Sequence, residues 1–109
     1  MPRPPDSVDA RAAIFASLTE KEWQAQVVKA ARLLGWQVWF TWKSYHSPSG
    51  EPDLRLVRPP RYIVAELKGE RGKLSKAQAE ALDLLGGCPA IEVYVWRPSD
   101  WDVVVGVLQ

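Results

Sequence analysis

From Thr19 to Leu34 the apolar residues Trp23, Val27, Ala30 or Ala31, and Leu34 recur at helical spacing, so the pattern predicts a helix that Gly35 ends. Its start is marked by Thr19 and Glu22 as a capping box, in which the threonine hydroxyl takes the amide three residues on and the glutamate reaches back. The period then changes. Gln37 to Trp42 alternates and is aromatic and β-branched, which predicts a strand, and Lys43 to Pro52 is a loop of Ser, Gly and Pro. Asp53 to Val57 and Tyr62 to Lys68 read as a hairpin around Arg58-Pro59-Pro60-Arg61. Gly69 to Leu74 is a charged loop, and Ser75 to Leu85 a second helix with Ala77, Ala81, Leu82 and Leu85 inward, stopped by Gly86-Gly87. Ala90 to Trp96 is a fourth strand, broken by Arg97-Pro98-Ser99-Asp100. The tail is ambiguous: Val103-Val104-Val105 favours strand, whereas Ser99 would cap a short helix.

The order helix, three strands, helix, strand implies an α/β domain with a mixed sheet, because the helix between the third and fourth strands demands a parallel crossover. Residues 1–18 are expected to form an arm, loose and proline-rich to Ser7 and with a short helical turn from Val8 to Phe15; residues 19–109 make one domain. With 109 residues, 47% hydrophobic, the chain has room for one core and not for two. Cys88 is the only cysteine, which rules out an intrachain disulfide and a multi-cysteine zinc site and fits a reducing, cytoplasmic setting. No run is long enough for a membrane helix and no signal peptide is visible.

Chemistry concentrates in two acidic clusters, Pro52-Asp53 and Glu66-Leu67-Lys68. Strand side chains alternate between faces, so Glu66 and Lys68 point the same way, with Asp53 leading the neighbouring strand. Carboxylates beside an ammonium suit a hard divalent cation and an activated water. Asp53 has the alternative of an Asx turn after proline, but a glutamate following four apolar strand residues has no comfortable place unless it is paired or coordinating. Lys68, Arg71, Lys73 and Lys76 crowd beside these acids, where phosphates would bind, although such a cluster is also an ordinary solvated loop. His46, the only histidine, lies in the loop with Lys43. Among six tryptophans, Trp23, Trp39 and Trp96 read as core, and Trp36, Trp42 and Trp101 as partly exposed and able to stack on bases or build an interface.

Most of the chain carries a resemblance through Glu20-Lys21-Glu22-Trp23-Gln24, Gly35-Trp36, Gly50-Glu51-Pro52-Asp53-Leu54, Glu66-Leu67-Lys68, Gly72-Lys73-Leu74-Ser75, Gln78 and Val95-Trp96-Arg97-Pro98-Ser99-Asp100. Together these resemble the VRR-NUC group of the PD-(D/E)xK nuclease superfamily. The resemblance implies a restriction-endonuclease-like core and an endonuclease dependent on Mg²⁺ or Mn²⁺. Asp53, Glu66, the Leu67 carbonyl and a first-helix glutamate would bind metal. For that glutamate Glu20 is preferred, on the buried side of the helix, since Glu22 is occupied by the cap. Lys68 would activate the attacking water and offset phosphate charge. Gln78, which Ser75 would occupy in a second capping box, would also help position the scissile phosphate or the lysine. Lys43, His46, Arg71, Lys73 and Lys76 would contact DNA. Stand-alone domains of this kind act on branched DNA such as Holliday junctions or flaps, which suits a homodimer.

Two other readings share these residues: a DNA-binding module of the same fold that does not cut, and a sequence-recognising or nicking endonuclease. With a net charge of only +1, non-specific DNA affinity is expected to be modest and to fall steeply with salt. Anisotropy titrations of a labelled duplex from about 50 to 200 mM salt test this, and a flat response would contradict it.

Overall fold

The computed structural model describes residues 7–41 and 50–109. The element order is α1 (Ser7–Ala16), α2 (Glu20–Leu33), β1 (Gln37–Phe40), β2 (Leu54–Arg58), β3 (Arg61–Leu67), α3 (Lys76–Gly86), β4 (Glu92–Trp96), a 3₁₀ turn (Pro98–Asp100) and α4 (Trp101–Leu108). The four strands lie in sequence order. β1 to β3 pair antiparallel and β4 joins β3 in parallel, which is the mixed sheet expected from a crossover helix. Among the described residues no helix is long and apolar enough to cross a membrane.

Alternation divides the sheet into two faces. Val38, Leu54, Leu56, Ile63, Ala65 and Leu67 face α2 and α4, whose Trp23, Val27, Ala31, Val104 and Leu108 complete the core. Trp23 is fully buried and its indole Nε1 donates 3.0 Å to the carbonyl of Trp96, so α2 is pinned by its first turn to the end of β4. A tryptophan so placed resists truncation by about 3–5 kcal/mol. The Trp96 indole N–H has no acceptor among the described residues, although the ring is buried and stacks on Tyr94. α3 lies over β4 on the opposite face and leaves the β1 edge open there. Trp39, pointing to that face, is therefore 51% exposed and not core as its pattern suggested, while Trp36 is buried.

Trp36 is buried because it serves the end of α4. Its indole donates 2.9 Å to the Leu108 carbonyl, and the guanidinium carbons of Arg58 and Arg61 lie 4.6 and 5.0 Å from its ring centre. Arg58 also donates to the carbonyls of Leu34, Leu108 and Gln109, and Arg61 to that of Val107. Cations at the carbonyl end of a helix satisfy its orphan acceptors and its dipole together. These two arginines are thus structural and do not add to a nucleic-acid surface. They also explain why the tail is a helix despite three consecutive valines: Val104 and Leu108, one turn apart, bury fully, and the final carbonyls are held. Its lead-in is fixed by Asp100, whose carboxylate accepts from the Arg97 amide at 2.8 Å, while Ser99 makes no cap. α1 is longer than the expected turn, running through Ala16.

The Arg61 guanidinium also holds Glu92 through bonds of 2.8 and 2.7 Å, and the Tyr94 hydroxyl donates to the same carboxylate at 2.7 Å. The Arg61 bond keeps the Glu92 carboxyl below the usual carboxylate range; partial burial opposes it and Tyr94 assists. A carboxylate with a depressed folded-state pKa contributes stability above its unfolded pKa and loses it as pH falls through the lower folded value. Wild type is expected to exceed Glu92→Gln in stability at about pH 6, with the gap closing by about pH 3, as followed by urea unfolding across that range.

Candidate active site

Register brings the two acidic clusters together. Leu54 pairs with Ala65, and one step further along the same antiparallel ladder sets Asp53 against Glu66. Directly opposed residues have Cβ atoms about 4.5–5.5 Å apart on one face. The Asp53 Oδ2 accepts the Leu67 amide at 2.8 Å, which orients the carboxylate across to β3. The backbone of Asp53 is fixed from the other side, since its carbonyl accepts the Thr41 amide at 2.9 Å and the Thr41 hydroxyl bonds the Pro52 carbonyl.

Glu66 is 1% exposed, the one charged side chain buried among the described residues. Its Oε1 accepts from the Gln78 side-chain amide at 3.1 Å and lies 3.8 Å from the Lys68 ammonium. Gln78 completes the expected capping box and, in place of the lysine expected from the resemblance, meets Glu66. Its Oε1 accepts the Ser75 amide at 2.8 Å to complete the α3 capping box, and the nitrogen at the same end of the side chain is left for Glu66. The capping geometry therefore positions the carboxylate's partner.

Lys68 is 13% exposed and held along its length. Its amide donates 3.1 Å to the Trp96 carbonyl, the acceptor that also takes Trp23. Its stem lies against Gly72, where an added Cβ would approach the lysine Cδ to 3.3 Å. Gly72 in turn gives its carbonyl to Arg97 at 2.7 Å, and Glu70 accepts from the Ser99 amide at 3.0 Å, so the loop after β3 is tied to the turn before α4.

Gly50 governs the approach of α3. Its φ is +91°, and a Cβ there would fall 2.3 Å from the Ala77 carbonyl oxygen, so only glycine admits this contact between the Asp53 turn and the first turn of α3. Gly50 and Gly72 act through their backbones, and the side chains of Arg97 and Thr41 act on backbone carbonyls. Glycines flanking the acidic clusters and the Trp96-Arg97-Pro98 run are the signals in the sequence; Thr41 left none.

The remaining expected residues are placed variously. Glu20 is the first residue of α2 and is solvent-exposed, not buried as expected; Glu22 caps Thr19 as the sequence indicates. Among the described residues no three side chains of His, Cys, Asp or Glu gather closely enough to hold a metal by themselves. Arg71, Lys73 and Lys76 are exposed, with Lys76 in a loose surface pair with Glu80. Lys43, His46 and Trp42 lie outside the described residues.

A solved structure titled "VRR_NUC domain" matches with a TM-score of 0.68 over 83% of this chain and 97% of that one, at 23% identity. The fold is that of a VRR_NUC domain. No family model and no curated protein matches the chain. At 23% identity, the likeness is one of fold.

The donor set fits a hard divalent cation. Two carboxylates on adjacent strands, with water completing the shell, match the way Mg²⁺ is commonly held by one or two carboxylates. Mn²⁺ or Mg²⁺ is expected to raise the melting temperature of the wild-type protein, and Asp53→Asn or Glu66→Gln to abolish that rise, as read by thermal unfolding with and without the ion. A shift retained in both variants would place the ion elsewhere.

Proposed function

We propose that this chain is a divalent-metal-dependent endonuclease that hydrolyses phosphodiester bonds in DNA. The observation that carries the proposal is Glu66: a carboxylate 1% exposed in the central strand, set against Asp53 and 3.8 Å from Lys68. Structure alone has little use for such a group, since burying a charge is costly and an apolar residue would complete β3 more stably. The VRR_NUC fold supports the same reading.

Asp53, Glu66 and the Leu67 carbonyl would hold Mg²⁺ or Mn²⁺, with Glu20 approaching from the first turn of α2. Bound there, the ion supplies Lewis acidity to the phosphate and lowers the pKa of the attacking water. The chain's own residues do the rest. Lys68 places an ammonium where negative charge grows on the phosphate and can orient the water. Gln78 holds Glu66 in a single orientation, and Asp53 is kept aligned by the Leu67 amide. Arg71, Lys73 and Lys76 bind flanking phosphates, together with Lys43 and His46. By analogy with the fold family, the products carry a 5′-phosphate and a 3′-hydroxyl, the preferred substrates are branched DNA such as Holliday junctions or flaps, and the working form is a homodimer.

Labelled four-way junction, flap, single-stranded and linear duplex DNA, incubated with Mg²⁺ or Mn²⁺, test the proposal. Cutting of the branched substrates is expected, with Lys68→Ala and Asp53→Ala each lowering the rate by at least about 100-fold. Binding without cutting by the wild type in every ion would point instead to a non-catalytic module.

A further inference from the structure

A second basic surface lies away from the carboxylates, on the other side of the sheet. Between the outer side of α2 and the edge strand β1 runs a groove of about 520 Å³ lined by Lys21, Val28, Lys29, Arg32, Leu33 and Phe40. Its lining holds three cations and no carboxylate, and among the described residues none of the three makes an ion pair. Phe40 is 51% exposed, and the Arg32 guanidinium sits 5.9 Å from its ring centre. Cations along a channel with an exposed ring at its wall are the elements of single-strand nucleic-acid binding: phosphates follow the charges and a base stacks on the ring.

One end of the groove lies at the first turn of α2. Lys21 follows Glu20 in the first turn of α2, and Trp23 fastens that turn to the Trp96 carbonyl, which receives the Lys68 amide as well. From Lys21 to Arg32 the helix runs about 17 Å away from this junction. A second copy of the chain is a poor occupant, because a two-fold contact would set Lys21, Lys29 and Arg32 against their own images.

We propose that the α2–β1 groove binds a single-stranded DNA arm leading away from the cut, with Lys21, Lys29 and Arg32 on its phosphates and Phe40 stacked on a base. The proposal deepens the nuclease reading and rests on it for the direction of the arm. Binding can nevertheless be read without cleavage, by anisotropy of the full chain in EDTA with a labelled single strand, a splayed-arm duplex and a blunt duplex, for wild type, Lys29→Ala/Arg32→Ala and Phe40→Ala. All three side chains project to the surface, and retained cooperative melting confirms that the variants fold.

The double variant is expected to bind the single strand about tenfold more weakly at low salt, with the salt slope flattened by about 1.4. Phe40→Ala is expected to lose about fivefold on the single strand and the splayed arm, with little change on the blunt duplex. Wild-type affinity and slope in the double variant, or an equal loss on blunt duplex, would overturn the proposal and leave the nuclease reading intact. Groove-dependent binding by a wild-type protein that cuts nothing would support the groove and remove the nuclease.

Discussion

One backbone carbonyl, that of Trp96, holds the architecture together. It accepts the Trp23 indole from the first turn of α2 and the Lys68 amide from the end of β3, at 3.0 and 3.1 Å. Three segments distant in sequence thus meet at one acceptor with two lone pairs, and both are used. It adds a directed tie between the first turn of α2 and the end of the strand that carries Glu66 to the packing of the shared core. The Trp96 ring is itself buried and stacks on Tyr94 at 5.1 Å between ring centres.

The two faces of the sheet divide the work. The face toward α2 and α4 is apolar almost throughout and supplies the hydrophobic stabilisation; the other is only partly roofed by α3 and holds the carboxylates. That division lets a charged group sit deep in the protein. Glu66 is buried by its strand position but answered by Gln78 and Lys68 from the same open side, so its charge is satisfied by groups that do not interrupt the core.

Much of this was legible in the chain. Both capping boxes, Thr19 with Glu22 and Ser75 with Gln78, formed as their spacing indicates, because caps are local and use few residues. The mixed sheet followed from a helix between two strands, and alternation alone put Glu66 and Lys68 on one face. What failed depended on partners far away in sequence. The valine run of the tail is strand-forming in isolation, and only the arginines of the β2–β3 hairpin and Trp36 make its helical form preferable. Trp39 and Trp36 exchanged their expected environments for the same reason: exposure depended on which part of the sheet α3 covers and on what the end of α4 needs.

Gly50 has no side chain with which to do chemistry, yet the approach of α3 to the Asp53 turn depends on it. Any larger residue would push α3 outward and carry Gln78 with it, away from Glu66. In a random screen for loss of function, substitutions at this glycine would cluster with those at the acids themselves. A map of sensitive positions would therefore outline the backbone contact as sharply as the chemistry, and reading every such position as a ligand would overcount the ligands.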